Sequence, residues 1–181
     1  MSTLEALTKA QALLAPWASG ATNPQPNRLD LVIQSQDLFQ AVRKLKDEQW
    51  GYLSAITGLD LGTHIDALEA LYQFCSGSAV VTLRVPLPRS GGVVPSVHTL
   101  IPVADFFERE IMEMFGITVT GIENDMHLFL PDDWPDGVYP LLKDFDPQAA
   151  KPVETNLAPP GGGMKGNRFI LPTGPQHPAP T

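Results

Sequence analysis

The spacing of apolar residues predicts helices and strands in alternation. Over residues 3–15, Leu4, Leu7 and Leu14 fall with neighbouring alanines on one side of a short amphipathic helix. Pro16 and the Pro-, Asn- and Gly-containing stretch 19–27 interrupt it. Residues 28–33 alternate polar and apolar side chains, the period of a half-buried strand. Ser35 is placed to cap a helix over 36–49, in which Leu38, Val42 and Leu45 share a face. Three strands are predicted next, at 52–57, 67–75 and 79–86, separated by turns that contain glycine. After a polar loop at 88–92, residues 97–101 read as a short strand or an extended lead-in. The strongest helical pattern is 103–115, ended by Gly116 just past its C-cap. The fold class predicted is α+β, a mixed or antiparallel sheet with packed helices.

Beyond about residue 131 the pattern dissolves. Proline recurs at 135, 140, 147, 152, 159, 160, 172, 175, 178 and 180, with three glycines at 161–163. Proline fixes φ and removes a backbone donor, so this stretch extends no sheet and makes no long helix. The chain therefore divides into an N-terminal helix and linker (1–27), an α+β domain (28–130) and an extended docking segment (131–181).

Composition narrows the function classes. Hydrophobic residues at 43% and charged residues at 18% fit a soluble globular protein. A net charge of -8 argues against tracking nucleic-acid phosphates or a polybasic membrane anchor. No stretch approaches the roughly 20 apolar residues of a membrane span, and Met1–Glu5 lacks the basic start of a signal peptide. Cys75 is the single cysteine, so no internal disulfide forms and a reducing compartment is expected. These features predict a soluble cytoplasmic protein that meets a membrane only through a partner.

Candidate chemistry is sparse. His64, His98, His127 and His177 lie far apart without i, i+4 ligand spacing, and one cysteine holds no iron–sulfur cluster by itself. Cys75 ends an apolar strand without a basic neighbour and reads as a small buried hydrophobe, not a nucleophile. Gly161–Gly166 lacks the order of a phosphate loop and reads as a linker. Asp132 and Asp133 form a carboxylate pair, but between Pro131 and Trp134-Pro135 they read as turn and capping residues.

The 103–115 helix says more. At about 100° per residue, Val103, Ala104, Phe107, Ile111, Met114 and Phe115 occupy one sector about 120° wide. Asp105, Arg109 and Glu113 fall opposite at i, i+4 steps, so Arg109 is predicted to pair with both. Glu108 and Glu110 stand at the borders. Phe106 and Met112 interrupt the charged side, and apolar residues among charges predict a second, partner-facing surface.

From Val94 to Phe145 the sequence resembles the NuoC/NdhJ family, the C-type subunits of complex I (NADH-quinone oxidoreductase). Val94-Pro95-Ser96-Val97 is similar to its lead-in. The run Asp105-Phe106-Phe107-Glu108-Arg109-Glu110-Ile111-Met112-Glu113-Met114-Phe115-Gly116-Ile117 resembles its hallmark: an aromatic, Glu-Arg-Glu, an acidic residue and a Phe-Gly-Ile end. Gly121, then Leu130-Pro131-Asp132-Asp133-Trp134, then Pro140-Leu141-Leu142-Lys143-Asp144-Phe145 follow in the family's order. Ile122-Glu123 and Met126-His127 stand where the family has His-Pro and two basic residues. Leu142 replaces the usual Arg. These departures point toward the related branch, which comprises membrane-bound nickel–iron hydrogenases and complexes that take other electron donors.

The resemblance implies a non-catalytic subunit that binds no cofactor and no metal. It implies a place on the cytoplasmic side of the cell membrane, peripheral, in the arm that carries electrons to quinone. Its partners would be the D-type subunit, which is hydrogenase-large-subunit-like, and adjacent iron–sulfur subunits; nucleic acid is not among them. Interface residues are expected at Phe106, Glu108, Arg109, Glu110, Met112, Asp133, Trp134, Lys143 and Asp144. Phe169, Ile170 and Leu171, consecutive and apolar, join them as anchors of the tail. Gly174-Pro175-Gln176-His177-Pro178-Ala179 is similar to the opening motif of the D-type subunit, a fusion remnant or a docking arm. The equivalent subunit of a membrane-bound hydrogenase or another respiratory-complex relative, a free-standing enzyme using Asp132, Asp133 and a histidine, and a general adaptor are the rival readings.

Overall fold

A computed structural model describes residues 2–122 and 127–148. Helix α1 (Thr3–Leu14) begins at a reciprocal cap: Ser2 Oγ accepts the Glu5 N–H, and the Glu5 carboxylate accepts the Ser2 N–H at 2.7 Å. It turns Ala6, Leu7, Ala10 and Leu14 into the core, while Leu4, expected on that side, is exposed. The Trp50 indole N–H donates to the Ala6 carbonyl at 2.9 Å, which satisfies a polar group inside the core.

Strand β1 (Ala18–Thr22) lies within the stretch expected only to break the helix. It pairs antiparallel with β2 (Arg28–Ile33), with a register shift between Ala18 and Gly20. As an edge strand with mostly exposed side chains it needs no apolar alternation, so the pattern is silent there. A 3-10 turn at Ser35–Asp37 leads into α2 (Leu38–Asp47), which buries Leu38, Ala41, Val42 and Leu45.

Strands β3 (Tyr52–Asp60), β4 (Ala67–Ser76) and β5 (Ala79–Pro88) complete a sheet of order β1-β2-β5-β4-β3. Its neighbours are antiparallel except β2 and β5, which run parallel. Strict alternation sends Leu29, Leu31, Leu68, Phe74, Val81 and Leu83 to the helix-covered face. Arg84 stands on the other face, with its guanidinium on Asp30 at 3.1 Å and on Glu69.

Strand β6 (Val93–Pro95) precedes α3 (Ala104–Phe115), and β7 (Thr118–Thr120) pairs with β6 in parallel. The extended piece is thus 93–95, not 97–101, where turns lead into α3. Three residues around one buried valine in each strand are too short to show a period. Helix α3 packs on β3, where Gly58 leaves room for Phe115: a Cβ there would stand 2.4 Å from the ring. Among the described residues no helix is long and apolar enough to cross a membrane.

The three-part division is not a division of the packing. Helix α1 rests on β2 and β5, and residues 127–148 return to α3 and to the end of β3. Residues 149–181, including the expected anchors Phe169, Ile170 and Leu171, lie outside the described residues.

Candidate functional site

Helix α3 is covered from two sides, which gives several of its charges partners within the chain. Glu108, placed at a border of the apolar sector, has no exposed surface. Its carboxylate accepts the Val97 N–H at 2.7 Å and the Ser96 hydroxyl. Ser96 Oγ also meets His98 Nδ1 at 2.7 Å, and the Ser96 N–H donates to the Thr120 carbonyl. Glu108 thus ties α3 to the turn that follows β6. Burial pushes its carboxyl above the usual range, against the opposing pull of the Ser96 and Val97 donors.

Arg109 was expected on the exposed side, pairing with Asp105 and Glu113. It is 9% exposed, with Nη1 3.9 Å from Asp105 Oδ2. Glu113 is engaged elsewhere: it accepts the N–H groups of Leu128 and Phe129, the latter at 3.0 Å, and meets His127 Nδ1 at 3.0 Å. The segment 127–129 is therefore pinned to the face that helical periodicity marks as solvated. Glu110 and Met112 are half-buried, and Phe106 stays exposed as expected.

A second polar knot closes the end of β3. Asp60, nearly inaccessible, accepts Arg89 Nε at 3.2 Å and Nη2 at 2.9 Å, the Gly62 N–H at 2.8 Å and the Lys143 N–H at 2.8 Å. Arg89 also grips Asp144, with Nη1 3.1 Å from Oδ2. The guanidinium holds both carboxyls below the usual range, and Asp60 much further below. Asp144, expected at a partner interface, is held by Arg89 and keeps its side chain 52% exposed. Lys143 contributes its backbone, and its residue surface remains exposed.

Beside the last turns of α3 lies a cleft of about 200 Å³, which brings Met112 and Trp134 together with Glu113, Leu130, Asp136 and Tyr139. The Trp134 indole N–H donates to the Val138 carbonyl at 2.7 Å, and the ring stacks on Phe145 with centroids 6.3 Å apart. Tyr139 lies on Gly116, whose φ of 71° and missing side chain both serve the contact: a Cβ would fall 2.4 Å from the ring. Asp133 is exposed. Phe129 (62% exposed) and Leu141 (52%) present large apolar surfaces on the same segment.

Sequence reasoning missed Asp60, Arg89, Ser96 and Tyr139. Their contacts join separate elements, 83 residues apart for Asp60 and Lys143 and 12 for Ser96 and Glu108, which no local period shows. Cys75 is half-buried on the uncovered sheet face, its thiol 3.4 Å from Ser54 Oγ. No group of three or more His, Cys, Asp or Glu gathers to hold a metal among the described residues. A second, apolar cleft of about 320 Å³, lined by Trp50, Tyr52, Leu53, Phe74, Ile101 and Val103, lies between α2 and β3.

The family model for the respiratory-chain NADH dehydrogenase 30 kDa subunit matches residues 31–151. Formate hydrogenlyase subunit 5 of Escherichia coli (strain K12) is 31% identical over 160 residues, covering 83% of this chain. NAD(P)H-quinone oxidoreductase subunit J of Prochlorococcus marinus (strain MIT 9211) is 34% identical over 124 residues, 64% of this chain and 68% of that protein. One chain in the structure of the membrane-bound sulfane sulfur reductase, an archaeal respiratory membrane complex, superposes with a TM-score of 0.68. That likeness is one of fold, at 21% identity over 92% of this chain and 98% of the other. The chain spans 28% of the length of formate hydrogenlyase subunit 5. The match covers both polar knots and the cleft: the chain belongs to the family of the 30 kDa subunit of respiratory-chain NADH dehydrogenase.

Proposed function

We propose that this chain is a non-catalytic accessory subunit in the peripheral arm of a complex I-like respiratory oxidoreductase. It binds a D-type, hydrogenase-large-subunit-like partner and adjacent iron–sulfur subunits and supports assembly of the electron path to quinone. In this reading it binds no cofactor itself and is held on the cytoplasmic side of the membrane by its partners. The observation that carries the reading is the family match over residues 31–151. The chemistry of α3 supports it: Glu108 and Glu113, the carboxylates most engaged in the hallmark, are occupied by internal donors. Apolar Phe106, Phe129 and Leu141 are left to meet a neighbour.

The equivalent subunit of a hydrogenase-type complex is the second reading. Formate hydrogenlyase subunit 5 matches 83% of the chain, and Leu142, where the family has Arg, is packed partly against the core. The metal-binding cysteine motifs of the co-purifying large subunit separate the two.

The test is chemical. The purified chain is assayed for iron, nickel and zinc and for flavin absorption, and membranes of a strain lacking it for electron transfer. The reading expects no stoichiometric metal or flavin after desalting, and lost electron transfer that the chain restores. Turnover by the chain alone, or a retained metal, contradicts it.

A further inference from the structure

The cleft beside α3 has the chemistry of a receptor for a cation. Met112, Val138, Tyr139 and Trp134 give it an apolar and aromatic lining. Trp134 is held by its bond to Val138 and its stack on Phe145, and Tyr139 is seated on Gly116, so the lining is set before anything binds. Two carboxylates face this lining. Glu113 is already occupied by three donors from residues 127–129. Asp136 is exposed and makes no hydrogen bond or ion pair among the described residues.

An indole beside an uncommitted carboxylate suits a planar guanidinium, which stacks on the ring and donates in a fork to the carboxylate. The surroundings have the complementary sign: residues 132–146 hold five aspartates and one lysine, and with Asp144 engaged by Arg89 four aspartates remain, in a chain of net charge -8. An anionic occupant would be repelled, and an apolar one would desolvate Asp136 without replacing its water.

We propose that this cleft receives an arginine side chain of a partner subunit, with that partner's flanking apolar residues on Phe129 and Leu141. The inference rests on the subunit reading above and names the chemistry of its contact.

The tagged full-length chain is expressed in its own host and purified from detergent-solubilised membranes, as wild type, Asp136→Lys, Asp136→Asn and Asp47→Lys. Asp47 is an exposed carboxylate at the end of α2 and serves as a charge control. Placing like charges together in an interface is strongly unfavourable, so recovery of partner subunits with Asp136→Lys falls by about ten-fold or more. Asp136→Asn loses less, Asp47→Lys loses nothing, and all four melt alike. A photo-reactive residue at position 138 then cross-links to a partner peptide containing arginine. Assembly of Asp136→Lys at the wild-type level overturns the cleft assignment, as does an equal loss with Asp47→Lys or a cross-linked peptide without arginine. In each of those results the wild type still assembles and the subunit reading stands. A wild-type chain that brings down no respiratory subunit overturns both.

Discussion

The Glu108 carboxylate accepts the backbone N–H of Val97, 2.7 Å away and eleven residues earlier in the chain, and this bond locks α3 to the turn after β6. Glu108→Gln keeps the shape but leaves one acceptor oxygen for two donors, Val97 N–H and Ser96 O–H. A buried donor left unsatisfied costs about 1–3 kcal/mol, which lowers the melting temperature by about 2–4 °C per kcal/mol in a chain of this size. The pH dependence has a definite sign. Because the carboxyl of folded Glu108 lies above its ordinary value of 4.5, its contribution is fully present below that value and is lost as pH rises through the folded one. The stability gap between wild type and Glu108→Gln therefore narrows from pH 4.5 upward, as thermal melts across pH will show.

Asp60 acts in the opposite sense. Its carboxyl lies far below the ordinary 3.8, so its stabilisation is present above pH 3.8 and is lost only as strong acid protonates it. Asp60→Ala leaves Arg89, whose side chain is 13% exposed, with the exposed Asp144 as its remaining partner, and removes the acceptor for the Gly62 and Lys143 N–H groups. Breaking a buried pair from one side costs about 3–5 kcal/mol. Asp144→Ala, at the exposed end of the same network, stays within about 1 kcal/mol. Chemical denaturation of the two variants checks the order.

Gly116→Ala meets two obstacles, a φ of 71° and the Tyr139 ring. Alanine at positive φ costs more than about 1 kcal/mol, and displacing the ring reshapes the cleft that Tyr139 lines with Trp134. Gly58→Ala drives a methyl into Phe115, with an overpacking cost of about 1–3 kcal/mol. Gly116→Ala should change the fluorescence of Trp134, measured with Trp17 and Trp50 replaced by phenylalanine, and Gly58→Ala should leave it unchanged.

Most of the sheet and all three helices of the described residues were legible in the sequence, because their apolar periods are set by burial on one face. Strand β1 was not, since backbone pairing alone holds an edge strand. The hallmark helix was located correctly and Arg109 pairs with Asp105 as expected, but Glu108, Arg109 and Glu113 are buried or engaged within the chain more than periodicity indicated. Periodicity sees one packed face, and here residues 127–129 pack on the other through Glu113. Arg109 illustrates the consequence. At 9% exposure its replacement by alanine should lower the stability of the chain itself, where an exposed arginine would have affected assembly alone.

The docking role of the tail remains a proposal, and it has its own test. Replacing Phe169, Ile170 and Leu171 together by serine removes three apolar side chains, each contributing roughly 1.5–3 kcal/mol when fully buried. Recovery of partner subunits should fall while the melting of the isolated chain is unchanged. Normal assembly after truncation at Lys151 would show the segment to be dispensable.

The central claim, that the chain works as a subunit and not alone, is tested most directly by native mass measurement of the tagged wild-type chain isolated from its host's membranes. The result expected is a single large assembly that holds this chain together with a hydrogenase-large-subunit-like protein and iron–sulfur subunits. A monomer near 19.6 kDa with no such partner in the preparation would contradict it.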